Sequence, residues 1–233
     1  MIRSRFGFGS RDLGRQRVAT PGGRVADMAR VDEFQPMLLD ERPLILDEPG
    51  WIYELKMDGY RLLAEFDGTV QLRTRNGTDA TKWFPEIAQS LAKIGAGQCV
   101  VDGEVCVLDE LGRSDFNQLQ DRARRRRRYP GCPDVVYCIF DLLVHGGIDI
   151  TQQPLLERKA ALAKVLKRPL PAIMYVGHFE TGAARLFKEA VIPLKLEGLV
   201  AKRVDSVYQP GVRSSDWVKV KRKGAIPPER FKR

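Results

Sequence analysis

The chain has 233 residues, 43% of them hydrophobic, enough to bury a core in one large domain or two small ones and too many for a disordered chain. Its net charge is +9, with seven arginines within 1–30, six between Arg122 and Arg128, and seven lysines or arginines within 219–233. Those stretches outweigh the total, so the remaining body is acidic, a distribution suited to holding phosphate backbones.

Residues 1–30 lack a sustained apolar period and contain Pro21-Gly22-Gly23, so they read as a flexible basic arm. No apolar run there has signal-peptide length and none elsewhere suits a membrane span, which places the expected chain in the cytoplasm with no membrane partner. Cys99, Cys106, Cys132 and Cys138 form no Cys-x-x-Cys pair, and His145 and His178 are not spaced as their partners. A zinc site or disulfide framework is therefore not expected, and the thiols read as small core residues of a reducing compartment.

Short apolar runs at 51–56, 60–66 and 69–73 predict strands, with Asp67-Gly68 as a hairpin turn. Phe84, Ile87, Leu91 and Ile94 have helical spacing over 84–94, with Pro85 in the first turn. A strand follows at 98–108. Ser114 is placed to cap a short helix through Gln120, after which the arginine run reads as a loop ending at Pro130-Gly131. Another strand is expected at 135–143, helices at 155–166 and 183–191, and strands at 173–179, 198–203 and 216–221. This order suits an α+β fold of antiparallel sheets with helices packed outside, a domain over 31–223 followed by a basic tail at 224–233.

Several of these strands carry charge on one face. Alternation puts Glu54 and Lys56 on one side of their strand, and Asp58-Gly59 then turns the chain, the glycine allowing close backbone approach to a ligand. Asp102 and Glu104 share a face of a very apolar strand, where two buried carboxylates imply a metal or ligand. Lys219 and Lys221 lie side by side with Trp217 and invite an anion. Glu197 begins a strand that ends in Lys202. Taken singly, each is a surface ion pair or a core residue; together they read as the walls of one phosphate-and-metal cleft. No Walker loop or dinucleotide fingerprint is present, since Gly9 to Gly14 is followed by Arg15-Gln16 and Gly95-Ala96-Gly97 lacks a third glycine.

The segment Lys56-Met57-Asp58-Gly59-Tyr60-Arg61 resembles the nucleotidyltransferase motif Lys-x-Asp-Gly-x-Arg. Thr74-Arg75-Asn76-Gly77, Asp102-Gly103-Glu104, Ile139-Phe140-Asp141, Glu197 to Lys202, and Lys219-Val220-Lys221 resemble that family's further motifs in order. The set is similar to the catalytic core of ATP-dependent DNA ligases. Phrases such as Tyr53-Glu54-Leu55-Lys56 and Phe140-Asp141-Leu142-Leu143 are shared with the ligase domain of bacterial end-joining enzymes.

This resemblance implies an ATP-grasp-like nucleotidyltransferase domain. It implies a lysyl-AMP intermediate on Lys56, passed to a DNA 5′-phosphate for nick sealing in repair or recombination. A lysine nucleophile must be neutral when it attacks, against a free pKa of about 10.4. A metal ion and Lys219/Lys221 would favour that state and Glu54 would oppose it. By the same match Lys219 and Lys221 hold the α-phosphate, and Glu197 and Glu104 take Mg²⁺ or Mn²⁺, Glu104 alternatively binding ribose. Arg61 contacts sugar and phosphates, Phe140 stacks on adenine, and Arg75 grips the DNA 5′-phosphate. Glu54, Asp58, Gly59 and Lys202 complete the expected nucleotide site, while the histidines are not assigned to it.

Such ligases normally continue into an oligonucleotide-binding fold, which is not expected in this sequence. Three readings follow: a monomeric sealing enzyme acting on nicked or broken duplex DNA with other repair proteins, a core needing that fold in trans, or a nucleotide- or DNA-binding protein that seals nothing. RNA ligases and capping-type guanylyltransferases match less densely.

Overall fold

The computed structural model describes residues 29–225; the basic arm up to residue 28 and the tail beyond 225 lie outside the described residues. In chain order the elements are β1 (Leu38–Asp40), β2 (Trp51–Leu55), β3 (Tyr60–Phe66), β4 (Val70–Thr74), α1 (Pro85–Leu91), β5 (Cys99–Cys106) and α2 (Phe116–Arg124). They continue with β6 (Val136–His145), β7 (Ile148–Asp149), α3 (Leu155–Val165), β8 (Ile173–Tyr175), α4 (Ala183–Leu186), β9 (Gly198–Arg203) and β10 (Arg213–Lys221). The small sheet has the order β1-β10-β9-β2; the large sheet has β4-β3-β5-β6-β7, with β8 on β6.

Strand alternation divides the apolar residues between layers. In β3, Leu62, Ala64 and Phe66 face a core shared with Phe84, Ile87 and Leu91 around α1, Leu119 of α2 and Leu162 of α3. Leu63 points the opposite way, into the layer between the sheets, with Ile52, Val100, Cys138, Phe140 and Trp217. The small sheet's other face, Tyr53, Leu199, Ala201 and Val218, packs with Ala183 and Val191. Each large apolar side chain so enclosed contributes about 1.5–3 kcal/mol.

Asp67-Gly68 makes the expected hairpin between β3 and β4: Gly68 has φ +100°, and the Asp67 carboxylate accepts from the Thr69 amide and hydroxyl at 3.3 and 2.9 Å. The sheets are mostly antiparallel, but β1 runs parallel to β10 and β8 parallel to β6. The expected strand at 173–179 divides because Phe179 leaves β8's sheet and exchanges backbone hydrogen bonds with Tyr53 of β2, 2.9 Å each way. The expected helix at 183–191 is α-helical only through Leu186 and continues as one wide turn, Phe187–Val191.

Around α2 the structure corrects the sequence reading. Asp115, not Ser114, caps the helix by accepting from the Gln118 amide at 3.0 Å. Ser114 instead turns its hydroxyl to the Asp58 amide, 3.3 Å away. The helix also runs past Gln120 to Arg124, so the first arginines are helical. Arg122 is fully buried and donates to Glu86 Oε1 at 2.7 Å, tying α2 to α1.

Candidate active site

The candidate residues converge where the two sheets face each other. Strand β2 delivers Lys56 just beyond its end, where the Lys56 amide still bonds to the Gly198 carbonyl at 3.0 Å. Gly198 is also the residue opposite Lys221, so β9 holds Lys56 and Lys221 to either side of one position. The Lys56 Nζ donates to Glu197 Oε2 at 2.7 Å, with the lysine side chain 17% exposed. Farther along the same register, Glu54 and Lys219 both lie opposite Val200.

The large sheet supplies the other wall. Arg61 and Glu104 are directly paired across β3 and β5. Burial pushes the Glu104 carboxyl up to about 7, against the pull of Arg61 and Lys56. Arg75 is carried just beyond β4, its amide bonded to the Arg61 carbonyl at 3.2 Å. Arg61, Arg75 and Glu104 thus line, together with Lys56, Glu197, Lys219 and Lys221 from the small sheet's side, a cleft of about 320 Å³. Lys219 and Lys221 meet the exposed Glu41 carboxylate, 2.7 and 3.8 Å away, so an acidic group already sits at the cationic pair.

Phe140 and Lys202 line an adjoining hollow with Glu54, Lys56, Arg61 and Glu104. The Phe140 ring lies 4.5 Å from the Arg61 guanidinium and 4.3 Å from Lys202 Nζ, and Lys202 also approaches Trp217 at 4.0 Å. Asp58 lines a third hollow with Lys56 and Glu197, and Gly59 a fourth with Arg61 and Arg75.

Three local readings change. Glu54 does share a face with Lys56, yet its carboxylate, 2% exposed, is turned inward to two other lysines. Lys159 Nζ lies 2.5 Å from its Oε1, and Lys202 Nζ lies 2.7 Å from its Oε2, the latter at an angle that makes no hydrogen bond. The carboxylate facing Lys56 is Glu197. Second, the cation compensating buried Asp102 is Arg61, which donates Nε and Nη2 to its two oxygens at 2.5 and 2.7 Å; the Tyr208 hydroxyl adds 2.6 Å. Asp102 therefore requires no metal or ligand. Third, a Cβ on Gly59 would collide with the Val105 carbonyl and come within 2.9 Å of Cys106 Sγ, so the glycine admits β5 rather than a ligand.

Lys159 was not anticipated as part of this network, although its signal was legible. Leu155, Arg158, Lys159 and Leu162 are the buried stripe of α3, with two cations on a core-facing side. Arg158 pairs with Asp141 through both oxygens, 2.9 and 2.8 Å away, and Lys159 takes Glu54. Burial opposes the Lys159 charge, but Glu54, Tyr175 and Asp141 together hold the pKa above the ordinary lysine value. For Lys202 burial wins and lowers the ammonium to about 8 despite Glu54. His178 and His145 are outside the cleft lining.

Residues 36–221 match the family described as the ATP dependent DNA ligase domain. The multifunctional non-homologous end joining protein LigD of Pseudomonas aeruginosa is 36% identical over 211 residues, covering 87% of this chain and 24% of that protein. The crystal structure of the ligase domain of M. tuberculosis LigD shares 32% identity with a TM-score of 0.71, covering 83% of this chain and 62% of that one. A mycobacterial DNA ligase D complexed with ATP and MES shares 31% identity with a TM-score of 0.67, covering 83% and 62%. The chain thus spans about a quarter to a third of the length of the LigD proteins it matches.

Proposed function

Because this chain belongs to the ATP-dependent DNA ligase domain family, we propose that it transfers AMP from ATP to Lys56 and then to the 5′-phosphate at a DNA break. The observation that carries this reading is the meeting of Lys56, Glu197, Lys219 and Lys221 with Arg61, Arg75 and Glu104 around one cleft. A nucleophile, an anion clamp and two carboxylates then border the same space.

In the first step the Lys56 Nζ lone pair attacks the α-phosphorus of ATP. The P–N bond forms as the bond to the β-phosphate oxygen breaks, and pyrophosphate leaves with that electron pair. The Glu197 carboxylate, 2.7 Å from Nζ, favours the ammonium form, so Lys56 must leave this pair and lose its proton to solvent before it attacks. Lys219 and Lys221 offset charge on the α-phosphate, which requires release of Glu41. Phe140 presents its ring to adenine, and Arg61, fixed by Asp102, borders the sugar. In the second step the DNA 5′-phosphate, gripped by Arg75, displaces Lys56 from AMP; the 3′-hydroxyl then displaces AMP and closes the strand.

Glu197 and Glu104 fit a divalent cation of the magnesium type, which is held by one or two carboxylates plus substrate phosphates rather than by a protein cage. Among the described residues no group of three or more His, Cys, Asp or Glu side chains could hold a metal by itself. A bound cation would neutralise phosphate charge and favour ionised Glu104.

Incubation with ATP and Mg²⁺ should add one AMP, about 329 Da, to the intact mass through nucleophilic catalysis. K56A should gain nothing, and nicked duplex should discharge the adduct from wild type. An adduct that persists in K56A, or none in wild type, would sink this assignment.

A further inference from the structure

The cleft does not end at Arg75. A groove containing Arg61, Glu104 and Arg75 continues to Tyr60 and Trp83, on the helix-bearing side of the large sheet. At its far end Arg126 lays its guanidinium 5.3 Å from the centre of the Trp83 ring. Arg124, on the last turn of α2, acts on Tyr60: burial raises the Tyr60 hydroxyl pKa and Arg124 pulls it back.

The loop presenting these groups is shaped from beneath. The fully buried Arg122 guanidinium donates to the Arg127 carbonyl as well as to Glu86. The Arg126 amide bonds to the Ala123 carbonyl at 3.0 Å, and Arg126 itself has φ +51°, an uncommon conformation for a residue with a side chain. Attraction to the helix dipole accounts for Arg122 and Arg124 at the C-terminus of α2 but not for Arg126 beyond it. Arg125 stacks on Tyr129 and Arg128 pairs with Asp134, while among the described residues the hydrogen bonds of Arg124 are exposed ones to Asp121 and Gln120, at 3.3 and 3.1 Å. Such contacts are weak and readily exchanged for a phosphate.

We propose that Arg124 and Arg126, the latter lying over Trp83, grip the sugar–phosphate backbone of the duplex beside the break and extend the DNA track beyond Arg75. This inference rests on the nick-sealing reading above. An acidic protein surface would meet the same charges, but the groove's continuity with the cleft that takes the 5′-phosphate favours a nucleic-acid backbone.

The test compares wild type with an R124Q/R126Q double variant, and with R185Q/K188Q, which removes the same charge from exposed positions on and just after α4. AMP uptake is read by intact mass, and binding to nicked duplex is measured in EDTA across a salt series. R124Q/R126Q should take up AMP like wild type yet lower the slope of log affinity against log salt by about 1.8, from two phosphate contacts at about 0.9 each. R185Q/K188Q should leave that slope unchanged. An unchanged slope in R124Q/R126Q, or an equal fall in the control, would overturn the assignment of this loop. Absence of AMP uptake in wild type would overturn the sealing reading instead, while the DNA slopes still decide the loop.

Discussion

Glu104 shows how a residue's neighbours set its protonation. It stands opposite Arg61 and near Lys56, yet burial outweighs both and moves its carboxyl from the usual 4.5 to about 7. The folded chain therefore holds a proton that the unfolded chain releases between those values. Without metal, folding stability should fall as pH rises from about 4.5 to about 7 and contribute no further slope above that. E104Q has no proton to lose and should lack this component. Urea midpoints of both proteins at pH 5 and pH 8 in EDTA provide the check; equal changes in the two proteins would show that Glu104 is not the source. Arg61 illustrates the same dependence on neighbours: its two-pronged contact with Asp102 fixes the guanidinium before any nucleotide arrives.

Among the elements, the turn between β2 and β3 carries Lys56 and is constrained from below by β5. Glycine is required at residue 59 because the Val105 carbonyl and Cys106 Sγ occupy the space a Cβ would need. Backbone there cannot yield as a flexible side chain would. G59A should therefore cost about 3 kcal/mol, at the upper end of ordinary overpacking, and also reduce Lys56 adenylation by displacing the turn. Chemical denaturation and AMP uptake report the two effects separately; a variant with wild-type stability and adenylation would contradict the packing argument. The helical elements show a different constraint. In α3 the positions that should be apolar include Arg158 and Lys159, and both are accommodated because acids from other strands meet them.

At the scale of the whole molecule, the Glu54 network joins separate layers. Lys159 comes from a helix packed on the large sheet, while Glu54 and Lys202 belong to adjacent strands of the small sheet. K159M would keep much of the side-chain volume but leave Glu54 with only the poorly oriented Lys202. Removing one partner of a buried pair costs about 3–5 kcal/mol, so K159M should lower unfolding free energy by about that amount. A double-mutant cycle with E54Q separates lost pairing from lost packing, and additive effects would rule out coupling across the layers. The described residues include no helix long and apolar enough to cross a membrane.

Much of the architecture was determined by local sequence. The period of two that separates Leu62, Ala64 and Phe66 from Leu63 also placed charged residues together on strand faces, and the helical period placed Phe84, Ile87 and Leu91 on the buried face around α1. The Lys56 motif and its companions located the cleft because their types and order were visible without coordinates. Local periodicity could assign a face but not a partner. Glu54 meets Lys159 across 105 residues and Lys56 meets Glu197 across 141, whereas nearby charges on the strand remain apart. Likewise, the three-residue β1 finds its place only by running parallel to β10. These choices belong to the tertiary structure because closure of the two sheets determines which charges lose water together and must therefore compensate one another.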